Sequence, residues 1–260
     1  MSALKITLAQ YDIHWETREQ NFDKLEKLLD SLEVGDLVIL PEMFQTGFSM
    51  NTSRISEEPQ GYTFKWMQNI ASKHQTTIVG SFVVRQDETC FNRLYWVYPD
   101  GTFGTYDKAN PFRMMNEHLH FKAGTDKNYF AIKGWKVLPL ICYDLRFPEW
   151  SRNTFAKSNE HFGYDLLIYV GNWPAPRIEA WDTLLKARAM ENSAYVAAVN
   201  RIGTDANGVS FNGHSALIGP KGNHISTITE TESISTHQIN REDLTKYRNK
   251  FPVHLDWRSS

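Results

Sequence analysis

Apolar and polar positions alternate along this chain in two rhythms, short apolar runs and longer helical stripes. Leu4 to Gln10 reads as a strand, and Asp36 to Leu40 as a short buried one. Between them Phe22, Leu25, Leu28, Leu29 and Leu32 recur at helical spacing. This predicts an amphipathic helix from Thr17 to Leu32, opened by a Thr17/Gln20 capping box. Tyr62 to His74 reads as a second helix and Thr77 to Val84 as a strand. Phe91 to Tyr98, the turn Pro99-Asp100-Gly101, and Thr102 to Tyr106 form a strand–turn–strand pattern. Further along, strands are expected at Lys136 to Ile141, Tyr164 to Val170 and Tyr195 to Asn200, with helices at Pro148 to Ser158 and Ile178 to Asn192. The last third is more β-like, with runs at Gly213 to Ile218, His224 to Thr229 and Ser233 to Ile239.

Strands interleaved with helices, without a linker, a repeat or a low-complexity stretch, predict one layered α/β domain over residues 1–260. The tail from Phe251 to Ser260 carries Phe251, Pro252, Val253, Leu255 and Trp257. It is expected to dock on its own domain or on a neighbouring subunit. Composition changes this picture little. Of 260 residues 41% are apolar and 22% charged, and the net charge of −2 contains no long run of one sign. That points away from nucleic acid and from a membrane surface. No apolar stretch is long enough to span a bilayer, and the N-terminus lacks the regions of a signal peptide. With two cysteines, Cys90 and Cys142, no disulfide framework is implied. The expectation is a cytoplasmic protein with reduced thiols.

Cys142 is the most informative residue. The apolar run Val137 to Ile141 leads into Cys142-Tyr143-Asp144-Leu145-Arg146-Phe147-Pro148-Glu149, which reads as a strand end, a turn and a helix start near Pro148. Two other segments share that design. Leu37-Val38-Ile39-Leu40 runs into Pro41-Glu42, and Tyr106-Asp107-Lys108 precedes a Pro-containing loop. Functional sites in α/β sheets form at strand ends, so Glu42, Lys108 and Cys142 converge if their strands are neighbours. Their chemistry is coherent. A carboxylate takes the thiol proton, an ammonium favours developing negative charge, and the thiol attacks an acyl or nitrile carbon.

At this point the chain resembles the nitrilase superfamily of carbon–nitrogen hydrolases. The resemblance rests on Leu40-Pro41-Glu42-Met43-Phe44, Tyr106-Asp107-Lys108 and Cys142 to Glu149, in that order. Gly171-Asn172-Trp173-Pro174, Leu185 to Asn192 and Gly213-His214-Ser215 support it. It implies a four-layer α-β-β-α sandwich that pairs as a homodimer, with no cofactor and no metal. It further implies Glu42 as general base, Lys108 as oxyanion stabiliser, Cys142 as nucleophile, Glu117 as the holder of Lys108, and the Tyr143 backbone N–H as a second oxyanion donor. Within the superfamily the stretches from Pro41 to Met50 and from Gly171 to Arg177 resemble the omega-amidase branch. That branch implies a small carboxylate-bearing amide, such as 2-oxoglutaramate or 2-oxosuccinamate, cleaved to acid and ammonia through a thioester on Cys142. Arg113, Arg146 and Arg177 are then candidates to grip the carboxylate. Phe48, Met50, Phe112 and Trp173 are candidates for the apolar walls.

Other readings stand beside these. A cysteine in a strand is commonly a small hydrophobe, which is the reading for Cys90. Glu117-His118-Leu119-His120 offers metal-ligating side chains but no closed set of four. Arg146 can pair with Asp144 and brace the cysteine turn instead of touching substrate. Another superfamily activity on the same site, such as an N-carbamoyl amino acid hydrolase, an aliphatic amidase or a nitrilase, is the nearest rival. A non-catalytic binding module on the same fold is the more distant one.

Overall fold

Two runs explain why the chain folds around a double layer of sheet. Leu166–Val170 and Tyr195–Val199 are buried at every position, as strands covered on both faces must be. The computed structural model describes residues 3–156 and 161–257. In chain order its elements are β1 (Ala3–Gln10), α1 (Arg18–Asp30), β2 (Leu37–Ile39), α2 (Thr52–Ile55), α3 (Tyr62–His74), β3 (Thr77–Gln86), β4 (Thr89–Val97), β5 (Phe103–Asp107), α4 (Glu117–His120), β6 (Phe130–Ile132) and β7 (Trp135–Ile141). There follow α5 (Pro148–Ser151), β8 (Phe155–Ala156), β9 (His161–Phe162), β10 (Leu166–Val170), α6 (Ile178–Glu191), β11 (Tyr195–Val199), β12 (Ile202–Thr204), β13 (Ser210–Asn212), β14 (Ala216–Ile218), β15 (Ser233–Asn240) and α7 (Arg241–Lys250).

One sheet has the order β15-β1-β2-β3-β4-β5 and the other the order β14-β11-β10-β7-β6. The sheets face each other across an apolar layer that includes Ile6, Leu8, Ile39, Leu94 and Trp96 from the first, and Val137, Ile141, Ile168 and Ala197 from the second. Helices α1 and α3 cover the outer face of the first sheet through Phe22, Leu25, Leu29, Met67 and Ile70. Helix α6 covers the second through Trp181, Leu185 and Ala189. The result is the α-β-β-α sandwich.

Several local expectations are corrected. Helix α1 has no capping box, because the Thr17 hydroxyl donates to the Trp15 carbonyl at 2.8 Å instead of capping the helix. It also stops at Asp30, short of Leu32. The helix expected from Pro148 to Ser158 is the single turn α5. Buried Asn153 ends it by exchanging hydrogen bonds with Asn192 and Tyr164, and the chain turns into β8. Positions 157 and 158 of that expected helix lie outside the described residues.

The strand expected from His224 to Thr229 reduces to one bridge between Ile218 and His224, and the Ser226 hydroxyl accepts the Leu217 N–H at 2.7 Å in place of a continued ladder. Helix α7 was not anticipated, since its apolar stripe is thin and only Leu244 and Arg248 are buried. As far as residue 257 the tail docks on its own domain. His254 sits between the Phe155 and Phe162 rings at 4.4 and 4.8 Å. No helix among the described residues is long and apolar enough to cross a membrane.

Candidate active site

The three strand ends do meet, though not as neighbours in one sheet. Strands β2 and β5 are separated by β3 and β4, and Cys142 follows β7 in the opposite sheet. The convergence is made by stacking one sheet on the other. It is therefore set by the thickness of the apolar layer and not by strand pairing.

Glu42 is fully buried beyond the end of β2. The next residue, Met43, turns the chain through a left-handed conformation (φ +44°), and its N–H donates to the Ser81 hydroxyl at 3.0 Å. Glu42 Oε1 accepts from Lys108 Nζ at 2.8 Å and from Asn92 Nδ2 at 2.8 Å. Its Oε2 accepts the Asn172 backbone N–H at 3.0 Å. Lys108, 2% exposed, is fixed at the end of β5 by backbone bonds to Asn92 (3.0 Å) and Gly124 (2.9 Å). Its ammonium also donates to both oxygens of Glu117, at 3.0 and 2.9 Å, and lies 5.1 Å from the centre of the Phe48 ring. Glu117 opens α4, and its carboxylate also accepts the Phe112 backbone N–H.

Cys142 begins a single turn of 3-10 helix, Cys142–Arg146, and is itself left-handed (φ +42°). For a non-glycine residue that conformation costs about 1–3 kcal/mol and persists only where its surroundings enforce it. Asp144 supplies the enforcement. Its carboxylate accepts the Ile141 N–H at 3.0 Å, the Tyr106 hydroxyl at 2.7 Å and both the backbone and side chain of Asn110 at 3.0 and 2.8 Å. From α6, Arg188 donates to the Leu145 carbonyl at 2.7 Å.

Charge and burial act against each other here. Burial alone would lower the Lys108 affinity for its proton, but the charges of Glu117 and Glu42 outweigh it, so the ammonium is held well above its ordinary range. Burial pushes the Glu117 carboxyl up, against the pull of Lys108, and the negative charge of Glu42 adds to the rise. Burial also pushes the Cys142 thiol up, and so does the charge of Glu42 beside it. Lys108 and the Asn172 N–H pull the other way without prevailing. The resting site therefore holds a neutral thiol next to a carboxylate, and not the preformed thiolate that the Lys108 cation alone would favour.

Above this floor lies a cavity of about 290 Å³. Phe48, Phe112, Tyr143 and Trp173 supply apolar walls, with Met114, Met115, Val209 and Phe211. Lys108, Cys142, Arg146, Asn172, Arg177 and Asp205 are the polar lining. The Arg146 guanidinium lies over the Trp173 ring at 5.1 Å, and that of Arg177 lies over Phe112 at 5.6 Å. Arg146 is not the partner of Asp144, whose oxygens are taken by Tyr106, Asn110 and Ile141.

Two expected lining residues stand elsewhere. Met50 packs with the cluster of Met43, Ile55, Val83, Cys90 and Phe121, and Arg113 is exposed on a 3-10 turn, so neither lines the cavity. Among the described residues no group of three or more His, Cys, Asp and Glu side chains is arranged to hold a metal, and Glu117 is committed to Lys108.

Sequence reasoning missed Asn92, the Asn172 backbone N–H as a partner of Glu42, and the β12–β13 hairpin that carries Asp205, Val209 and Phe211 to the cavity. Asn92 did leave a signal. It is the one amide on a strand face otherwise made of Cys90, Leu94 and Trp96.

The fold and this site define the class, and the comparisons agree. The carbon-nitrogen hydrolase family model matches residues 5–249, and the chain belongs to that family. It is a hydrolase of carbon–nitrogen bonds. The chain is 42% identical to the omega-amidase YafV of Escherichia coli K12 (98% of this chain, 97% of the relative). It is 34% identical to the 2-oxoglutaramate amidase of Bacillus subtilis (97% of each). Among solved structures it resembles XC1258 of Xanthomonas campestris, a CN-hydrolase superfamily protein with an arsenic adduct in its active site. The TM-score is 0.97 at 41% identity, over 100% of this chain and 99% of that one.

Proposed function

We propose that the chain is an omega-amidase, which hydrolyses the terminal amide of a small 2-oxo acid such as 2-oxoglutaramate or 2-oxosuccinamate to the free acid and ammonia. One observation carries the substrate class. Arg146 and Arg177 line the same cavity as Cys142 and lie over aromatic rings. Neither has a carboxylate partner among the described residues. Two guanidiniums outside any ion pair of the described residues, lining the same cavity as a nucleophile, suit a substrate with a carboxylate at one end and an amide at the other. The names of the curated relatives point the same way.

In this reading Cys142 Sγ attacks the amide carbon while its proton passes to Glu42. The carbonyl oxygen becomes an oxyanion, held by Lys108 Nζ and the Tyr143 N–H. Glu42 returns the proton to the nitrogen, the C–N bond breaks, and ammonia leaves a thioester on Cys142. A water then gives a proton to Glu42 and adds to the thioester carbonyl. Collapse releases the acid, and the thiolate recovers its proton from Glu42. Glu117 takes no proton in this cycle. It keeps Lys108 charged and in place. The same reading has the chain pair as a homodimer in the cytoplasm, and light scattering that gave the mass of one chain would contradict the pairing.

The test is ammonia release from a panel of 2-oxoglutaramate, 2-oxosuccinamate, an uncharged aliphatic amide, an N-carbamoyl amino acid and a nitrile. The expected order puts the two 2-oxo acid amides first by kcat/KM. A higher kcat/KM on the uncharged amide or the carbamoyl compound overturns the substrate reading. Cys142→Ala should release no measurable ammonia while melting near the wild-type temperature, and full turnover by that variant would overturn the mechanism.

A further inference from the structure

Asn92 lies midway along β4, paired with Val83 of β3, and is 1% exposed. Its face of the strand is otherwise apolar, carrying Cys90, Leu94 and Trp96. A buried amide in such a stripe is unfavourable unless its polar atoms find partners. The donor half of Asn92 is spent entirely on the floor of the cavity. Nδ2 donates to Glu42 Oε1 at 2.8 Å and to Glu117 Oε1 at 3.3 Å, and the backbone carbonyl accepts the Lys108 N–H at 3.0 Å. Its Oδ1 is buried with no partner among the described residues. An isosteric Leu would pack as well and leave no orphan acceptor, so packing does not account for an amide here.

What the amide does provide is geometric. Glu42 accepts from the Lys108 ammonium through one oxygen and Glu117 through both, and like charges that close repel. The two N–H groups of a planar, uncharged side chain bridge the pair and set their separation without adding charge. We propose that Asn92 is a positioning residue that spaces Glu42 and Glu117 around Lys108 and keeps Glu42 directed at the Cys142 thiol. The proposal rests on the reading of Glu42 as the base.

The consequence is a pH signature. Both N–H bonds favour ionised carboxylates, so their loss raises the proton affinity of the pair, and the base is then ionised only at higher pH. The test compares Asn92→Asp and Asn92→Ser with wild type in two measurements, kcat/KM against pH on whichever amide the wild type hydrolyses, and the rate of Cys142 alkylation by iodoacetamide against pH. Asn92→Asp keeps the shape but sets three carboxylates against one ammonium, so the site must retain a proton. The acid limb should move up by about one pH unit or more, and kcat should fall about a hundredfold with KM little changed. Asn92→Ser keeps a single, shorter donor and should move the limb less. Melting temperatures show whether each variant is folded, and the serine variant serves if the aspartate variant does not fold. A folded variant whose activity drops equally at every pH, with both acid limbs unmoved, would reduce Asn92 to packing and overturn the proposal. The alkylation profile needs no substrate. If no 2-oxo acid amide is hydrolysed, the substrate reading fails while the Asn92 test still gives its answer.

Discussion

The floor and the rim of the cavity are built by opposite means. On the floor Glu42, Asn92, Lys108 and Glu117 are each no more than 2% exposed, and every charge has a counter-charge or an N–H donor within hydrogen-bond distance. At the rim Met114 is 71% exposed, Arg146 is exposed, and the guanidiniums rest on rings and not on carboxylates. A buried ion set is costly to assemble, several kcal/mol per ion, and holds only while its geometry is complete. A cation over an aromatic ring is worth about 0.5–2 kcal/mol and leaves its N–H groups available to a ligand. In the proposed reading the floor fixes the reaction, and the rim is free to select what undergoes it.

If this contrast is right, a floor residue cannot be altered without losing chemistry. The largest effect is expected at Glu42. With the Cys142 thiol held neutral mainly by burial, reaction near neutral pH depends on a base to take its proton. Glu42→Gln should lower turnover by between about 10² and 10⁴. Turnover and thiol reactivity should part company, because the Glu42 charge also pushes the Cys142 thiol up and its removal favours the thiolate, so iodoacetamide labelling near pH 7 should not fall with turnover. Turnover by Glu42→Gln equal to that of the wild type would mean that another group takes the proton.

Lys108→Met tests the ion set itself. Loss of an oxyanion donor costs about 10²–10³ in kcat. The change also leaves two carboxylates buried together with no cation, a loss of about 3–5 kcal/mol, readable by urea unfolding. The sign with pH follows from linkage. Burial already pushes the Glu117 carboxyl up, and removing Lys108 raises it further. The folded variant then binds more protons than the unfolded chain, so its stability is fullest in the ordinary carboxylate range and falls as pH rises through the elevated folded value. Adding Glu117→Gln removes one of the two charges and should restore part of the stability but not the activity. Lys108→Met unfolding at the wild-type urea midpoint would mean that the floor is not the coupled unit described.

This contrast also decides what could be read from the chain. Glu42, Lys108 and Cys142 were legible because each sits in a local pattern, an apolar run broken by a turn. Their meeting was not legible in the form expected. The distance between β2 and β7 is set by side chains such as Leu94, Trp96 and Val137 packed between the sheets, and strand pattern carries no information on which strand ends a second sheet will face. Asn92 was legible in principle, as a polar break in an apolar stripe, but only once the strand face was known to point inward. The hairpin with Asp205 and Phe211 was missed because its strands are three residues each, too short for period-two alternation to register. At the rim, Arg146 and Arg177 were picked out by their nearness to motif loops. That nearness does not by itself aim a side chain, since Arg113 stands as near and is turned elsewhere, as is Met50, expected as an apolar wall.

The smallest expected effect lies at that rim, and it sharpens the contrast from the other side. Arg146→Ala and Arg177→Ala should each raise KM for a 2-oxo acid amide about 10- to 100-fold, the worth of a charge-assisted hydrogen bond of about 1.5–3 kcal/mol, with kcat changed far less. Neither should shift the melting temperature by more than the loss of one ring contact, since neither guanidinium completes an ion pair among the described residues. For an uncharged amide the same substitutions should leave KM nearly unaltered. The larger loss is expected at Arg146, since Arg177 must first give up its contact with the Met114 sulfur at 3.3 Å. A fall in kcat equal for charged and uncharged amides would place these arginines with the floor, as parts of the reacting machinery, and the division between a fixed reaction and a selectable substrate would not hold.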